Sequence, residues 1–494
     1  MTALFQPHGD ISIGIQIFIR ACYGLLLIGT LMISLGPSRW FFISERYGGY
    51  AKSDRLTDSI QNPLLLPWIL ALWLLCGIML VIDRYTVAFS LINLILCRYF
   101  FIQMRWKSIL RGMGAPGFMT YWLGACVFFL EYGLHLDPSG VIRSSAITAF
   151  RFDFAVIMIS AGVYKLVCGY PRNEGMELGM VNPWWGYWWR FYKTIPPHHA
   201  FFRSLNHMAY GTEIVAGVMM LIPATAVLGA WLIILSFLFI ASQIRLGFLS
   251  EMVMVSGLIF MGPGSIADSF LQGWFTLPSL PTQLVPAPFH FISYGVNIFL
   301  MAYLLLLPVA HAGLWYNFLG RKSLAAPLQK LLERYTNLFG IIIWRVFTVD
   351  VINFFTEIYV EEKAGGARKQ YARFGKWDWQ GRFRYQHVGE FICLASVFTT
   401  LKYYPSNRAL FEERLVRYAR TIPCSRDSLI VFEYKSIRKQ QSGFDYHPVA
   451  EYLVDVESGR VEVKVLDHDF SIRVESSPVH EARRPGSYAP AIAG

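Results

Sequence analysis

Residues Pro63 to Ile82 contain no Asp, Glu, Lys or Arg, and neither do Phe289 to Leu319. A run of about 20 apolar residues is what the hydrocarbon core of a bilayer demands of a helix. Composition points the same way. The 494-residue chain is 54% hydrophobic and only 16% charged, against roughly 25% charge in soluble domains. The expected fold class is mainly α: a polytopic transmembrane helical bundle with a smaller C-terminal α+β region. Nine spans are expected, near Ile11–Gly36, Leu64–Ile82, Tyr85–Gln103, Phe118–Leu136, Ala146–Cys168, His207–Ile222, Ala226–Ile244, Phe248–Met261 and Phe289–Trp315. Glu131 and His135 interrupt the fourth, and the eighth is short enough to be re-entrant.

Basic residues collect in alternate loops. One set holds Arg39, Arg46, Lys52, Arg55, Arg105, Lys107, Arg111, Arg172, Arg190, Lys193, Arg203 and Arg245, and the other only Arg84 and Arg143. The positive-inside rule then puts the N-terminus outside and the C-terminal region in the cytoplasm of a plasma or inner membrane. The net charge of +11 is thereby assigned to topology and anionic lipid rather than to nucleic acid. The first apolar segment is long enough to span, so no removable signal peptide is expected.

Four regions follow: residues 1–315 as the transmembrane domain, 316–405 as an amphipathic or interfacial linker, 406–475 as a small α+β domain and 476–494 as a disordered tail. Leu331 to Tyr359 reads as a helix lying in the interface. Asn407 suits the N-cap of a helix over Arg408–Arg420. Strand periodicity begins at Ser428 and recurs over Val449–Val456, Arg460–Leu466 and Phe470–Val474, with Ser458-Gly459 as a hairpin turn.

Charges inside membrane segments are expensive and default to functional candidates. Arg151 and Asp153 are two residues apart on one span, so they point to different sides and each needs its own partner. Lys165 either snorkels to the headgroups or pairs with a buried carboxylate, for which Glu213 is the first candidate. A desolvated lysine can serve as a base. Glu251 and Arg245 form a second candidate pair, while Arg20 and Arg98 look isolated. The aromatic run Trp184–Tyr192, with Trp184 and Trp188, suits an interfacial anchor that can also hold a lipid or a partner. Asn206 and His207 open the sixth span.

Other patterns carry less. The seven cysteines form no CxxC pair, and they read as small apolar residues. His198 and His199 have no carboxylate or thiol close in sequence, so no metal site is expected. Gly112-Met-Gly-Ala-Pro-Gly117 fits GxGxxG but lacks the preceding strand that a dinucleotide site needs.

The phrase Ser160-Ala-Gly162-Val-Tyr-Lys165-Leu166 resembles the AG-x-x-KL signature of the HTTM superfamily. That group takes in vitamin K-dependent gamma-carboxylase-like proteins, lipase maturation factors and, distantly, DoxX-like proteins. Ile17-Phe-Ile-Arg20-Ala-Cys-Tyr-Gly24 is similar to its first-helix pattern. Asn182-Pro183-Trp184 and Leu205-Asn206-His207, with Glu213 following, are similar to lipase maturation factor motifs. The resemblance covers roughly Ile11 to Met261. It implies that Lys165 matches the lysine proposed to deprotonate a quinol in gamma-carboxylases.

Two functions are expected from this reading. The first is an integral-membrane accessory factor that holds a client protein during maturation or assembly. The alternative is a membrane enzyme acting on a lipid-soluble, quinone-like substrate, with Lys165 as base and Glu213 tuning it. Arg151, Asp153, Trp184, Trp188, Asn206, His207 and Glu251 are the candidate substrate or partner contacts. The one cofactor this reading names is a quinone, which the second function would use.

Overall fold

The computed structural model describes residues 10–35, 42–49, 58–103, 114–137, 139–272, 287–320, 322–344, 349–363, 368–371, 386–403, 407–425 and 427–467. It is mainly helical, with a C-terminal antiparallel sheet. The principal helices are α1 (Ile13–Leu35), α2 (Leu66–Val81), α3 (Thr86–Cys97), α4 (Gly114–His135), α5 (Val141–Val167), α6 (Met176–Val181), α7 (Ala200–Leu221), α8 (Ala226–Gln243), α9 (Leu249–Gly257), α10 (Ile266–Gln272), α11 (Ala287–Gly320) and α12 (Ala326–Phe339). Then come strands β1 (Phe354–Glu362) and β2 (Lys369–Gln370), helices α13 (Gln386–Tyr403) and α14 (Arg408–Ala419), and strands β3 (Ser428–Gln440), β4 (Gly443–Asp455) and β5 (Arg460–Val465).

Among the described residues, five helical segments are long and apolar enough to cross a membrane: Ile13–Met32, Thr86–Gln103, Val141–Val167, Pro223–Gln243 and Phe291–Gly320. Their length and composition suggest a membrane protein. Leu66–Val81 and Leu249–Phe260 are apolar but shorter. Phe391–Lys402 is a third short apolar helix, and its buried Phe391, Leu394, Val397 and Phe398 serve a soluble-type core.

The chain forms two compact units. The first comprises Met1–Tyr164, Ala209–Ala241 and Gly247–Val346; the second comprises Lys165–Met208, Ser242–Leu246 and Phe347–Gly494. Residues 165–208, which the sequence alone groups with the membrane helices, thus belong to the unit that holds the sheet.

In the first unit, α1 buries one stripe: Gln16, Arg20, Tyr23, Leu27, Leu31 and Ser34. That spacing of three and four residues is one face of a 3.6-residue helix. In the second unit the strand order is β2-β1-β3-β4-β5, every neighbour antiparallel. Phe354, Phe398, Phe411, Phe432, Tyr434 and Tyr452 form the aromatic core on one face of the sheet.

The interfacial helix expected over Leu331 to Tyr359 is divided. Helix α12 stops at Phe339 because Gly340 takes a left-handed backbone (φ 70°), where its N–H closes onto the Thr336 carbonyl. A side chain would be strained there. The chain then becomes strand β1, whose ladder with β3 runs from Phe354 opposite Ser436 to Glu362 opposite Ser428. Asn407 does cap α14, its Oδ1 accepting from the Leu410 N–H at 3.1 Å. The strand expected over 449–456 starts earlier, at Gly443. Gly459 takes φ 69° in the β4–β5 turn. The strand expected over 470–474, the tail 476–494, and Gly112 and Met113 of the glycine motif lie outside the described residues.

Candidate functional site

In the first unit Arg20, which looked isolated in sequence, meets opposite charges from other elements, whereas Arg98 donates to the Asn337 carbonyl at 3.4 Å. Arg20 lies seven residues into α1, about 10 Å along its axis. Its Nη1 is 2.7 Å from Asp83 Oδ1 and 3.1 Å from Glu131 Oε2, and its Nε donates to the Leu80 carbonyl at 3.1 Å. Gln16 donates to Glu131 Oε1 at 3.1 Å, and Arg143 Nε donates to Gln16 Oε1 at 2.9 Å. His135 Nε2 sits 3.5 Å from Glu131 Oε2. Glu131 and His135, which interrupt the fourth expected span, are therefore the other half of the Arg20 problem. The α2–α3 turn delivers Asp83 by taking left-handed backbone at Asp83 (φ 59°) and Tyr85 (φ 48°). A buried charge tolerates that location only when paired and hydrogen-bonded.

Beside this network lies a neutral knot. Trp73 Nε1 donates to Asn93 Oδ1 at 2.8 Å, Asn93 Nδ2 to the Tyr23 hydroxyl at 2.7 Å, and Tyr23 to the Thr120 carbonyl at 3.0 Å. Every one of these side chains is fully buried.

Arg151 and Asp153 do find separate partners. Arg151 Nε donates to the Ile259 carbonyl at 2.8 Å, with its guanidinium 5.9 Å from the Phe260 ring. Asp153 Oδ2 accepts from Trp122 Nε1 at 2.9 Å and from the Tyr303 hydroxyl at 3.0 Å. Gly162 of the Ser-Ala-Gly phrase has a packing role. A Cβ there would stand 2.8 Å from the Tyr210 carbonyl and 2.6 Å from Ile214. Only glycine lets α5 and α7 approach so closely. Glu213 is buried on α7, and Glu251 is half-buried on α9.

Lys165 is assigned to the second unit and Glu213 to the first. Lys165 is 3% exposed, its ammonium 5.9 Å from the centre of the Tyr170 ring. It is therefore buried by protein rather than turned outward at the end of α5.

Asn206 is a structural clamp. Its Oδ1 accepts from the Met176 N–H at 2.8 Å, and its Nδ2 donates to Asn173 Oδ1 and Glu177 Oε2, each at 2.7 Å. Glu177, fully buried at the start of α6, also pairs with Lys439 of β3 at 3.0 Å. Neighbouring His207 is exposed, as are His198 and His199. Asn182 does similar work: its Nδ2 donates to the Ile352 and Phe354 carbonyls and its Oδ1 accepts the Trp184 N–H, all at 2.8 Å.

The aromatic run divides accordingly. Trp184 is 2% exposed and stacks on Phe391, with ring centres 5.7 Å apart and planes 11° from parallel. That makes it a core residue of the sheet unit. Trp188 is 41% exposed, and its Nε1 donates to the Ser242 carbonyl at 3.2 Å. Arg245 Nη1 donates to the Pro183 carbonyl at 2.9 Å, and its guanidinium is 5.1 Å from the Tyr187 ring. The arginine of the second candidate pair thus fastens the aromatic loop.

On the sheet, three glutamates stand in one row: Glu357 opposite Glu433, and Glu433 opposite Glu451. Lys435 lies 2.8 Å from Glu357 and 3.2 Å from Glu433. Arg368 makes a two-pronged contact with Glu451 at 2.7 and 3.2 Å. The Arg368 hydrogen bonds hold the Glu451 carboxyl below the usual range. Burial, with Glu357 close by, pushes the Tyr359 hydroxyl upward. Sequence reasoning did not single out this row, nor Glu177 with Lys439, because their residues are far apart in the chain. No known family, curated protein or solved structure matches this chain.

Proposed function

We propose that this protein is an integral-membrane accessory factor that supports the maturation or assembly of other proteins. It has nine spans, α2, α4, α7 and α9 joining the five longer segments. Its N-terminus is outside and its sheet-bearing unit is cytoplasmic. It is a distant relative of the HTTM superfamily. One observation carries this reading: Asn206, Asn182, Trp184, Arg151 and Asp153 are spent on holding elements in place. A rigid membrane scaffold with a folded sheet unit suits holding a client more than turning over a substrate. The test is quantitative proteomics of cells with and without the protein. The reading expects a defined set of membrane or secreted proteins to lose folded yield, rescued by the wild-type chain. Unchanged client yield would sink it.

The second reading is an enzyme acting on a lipid-soluble, quinone-like substrate. It is favoured by the burial of Lys165 at 3% exposure, within the phrase that resembles the HTTM signature. Replacing Lys165 by Met and by Arg separates the two. If both variants insert and fold but quinol-dependent turnover is lost, the accessory reading fails. If neither variant folds, Lys165 is part of the framework and the enzyme reading fails.

A further inference from the structure

Helices α5 and α11 run side by side in the same direction within the first unit. Three pairings show it: Ser145 Oγ donates to Asn297 Oδ1 at 2.8 Å, Tyr303 donates to Asp153 at 3.0 Å, and the Tyr164 and Phe318 rings are 5.6 Å apart. Between the second and third pairings lie Ser160 and His311. Ser160 is seven residues after Asp153 and four before Tyr164. His311 is eight residues after Tyr303 and seven before Phe318. Spacings of four, seven and eight return to one face of a helix. Both residues therefore belong to the facing stripes and to the same level of the seam.

Ser160 is 2% exposed and His311 5%. Among the described residues, neither Ser160 Oγ nor either ring nitrogen of His311 has a hydrogen-bond partner. Ser34 and Ser256 return their hydroxyls to the carbonyl four residues back, and Asp153 and Asn93 are bonded. Buried polar groups in folded proteins are paired, and an orphan calls for an occupant.

The seam borders the bilayer. Only 22% of the α11 window is buried, against 67% of the α5 window, and Pro308, one turn before His311 on the same face, is exposed. Pro308, three residues before His311, lies inside the helix and deprives the Leu304 carbonyl of its usual donor. Helix α11 is thus a peripheral span with a weakened rung at this level.

We propose that the α5–α11 seam binds the headgroup of a neutral, hydroxyl-bearing lipid through His311 and Ser160. A neutral imidazole offers one acceptor and one N–H donor, and a serine hydroxyl offers both. A lipid hydroxyl donates to the free imidazole nitrogen and accepts from Ser160. An ester carbonyl next to it accepts the imidazole N–H. A diacylglycerol-type headgroup has this set of groups and no charge, and its acyl chains remain in the bilayer beside Pro308. The same hydroxyl chemistry is available from water, so the test separates the two sources. The proposal does not depend on the accessory or the enzymatic reading.

The experiment uses the full chain in phosphatidylcholine nanodiscs, with thermal unfolding as readout. A ligand that binds only the folded state raises the midpoint in proportion to its concentration. Dioleoylglycerol is expected to raise the wild-type midpoint, and the analogue with hydrogen in place of the hydroxyl is not. His311→Phe and Ser160→Ala are expected to fold and to lose the response. No rise in the wild type, an equal rise with the deoxy analogue, or a rise retained in His311→Phe overturns the proposal. A fall in midpoint for both variants in plain phosphatidylcholine, with no effect of dioleoylglycerol on the wild type, assigns the site to water and likewise overturns it. The two wild-type measurements decide the matter even if a variant fails to fold.

Discussion

Two charged clusters stand in contrast. Around Arg20, a guanidinium and a carboxylate are both sealed from solvent, with exposures of 2% and 0%. On the sheet, three glutamates face one another across β1, β3 and β4, and their cations are partly exposed. The first cluster is balanced by geometry, because nothing else can compensate a charge among apolar helices. The second tolerates like charges opposite each other because Lys435 and Arg368 bridge them and water screens what is left. Loss of one member should therefore cost much in the first and little in the second.

The largest effect is expected from Arg20→Met, which takes from buried Glu131 its arginine and leaves it Gln16 and His135. Breaking a buried pair from one side costs about 3–5 kcal/mol, so the yield of monodisperse protein in detergent should collapse. The double variant Arg20→Met with Glu131→Gln should recover much of it. A single variant no worse than the double would show that the pair is not the balanced unit described.

Next comes Asn182→Ala. It removes three hydrogen bonds among buried groups, a loss of about 2 kcal/mol or more. The measurement is the denaturant midpoint of the second unit, followed by near-ultraviolet circular dichroism. Lys435→Met should be milder, about 1 kcal/mol, because Glu357 and Glu433 can relax toward water. Added salt should reduce that difference, whereas it should leave the Arg20 defect unchanged. Equal salt sensitivity at both sites would erase the contrast.

The smallest effect is in pH. Arg368 lowers the folded-state pKa of Glu451 below its unfolded value. The resulting stability is complete above the ordinary glutamate value of about 4.3, and it drains away as pH falls through the lowered folded value. Glu451→Gln should flatten that acid limb in pH-dependent unfolding and leave stability near neutrality little changed in slope.

Much of the framework was legible in the residues. The apolar runs announce helices long enough to span, Asn407 announces a cap, and the two-residue period after Ser428 announces strands. The linker was not legible, since β1 is an ordinary apolar stretch until β3 is beside it. The candidate site was read in part. Burial of Asp153 followed from its position in an apolar segment, but its partners Trp122 and Tyr303 come from two other helices. Asn206 stood out by its neighbours His207 and Glu213, and its bonds go to Glu177 and Asn173 instead. Ser160 and His311 carried no signal, because a serine and a histidine in apolar helices are ordinary until their lack of partners is seen.

The sequence by itself determined where the chain is apolar enough to enter a membrane, and where its period changes from helix to strand. Both are local properties of successive side chains. Tertiary structure alone decided that Arg20 meets Glu131, that Trp184 is core, and that Glu177 meets Lys439. It also decided that Ser160 and His311 are buried without a hydrogen-bond partner among the described residues. Pairing of distant groups depends on which helix faces and strands are brought together, and no local pattern records that choice.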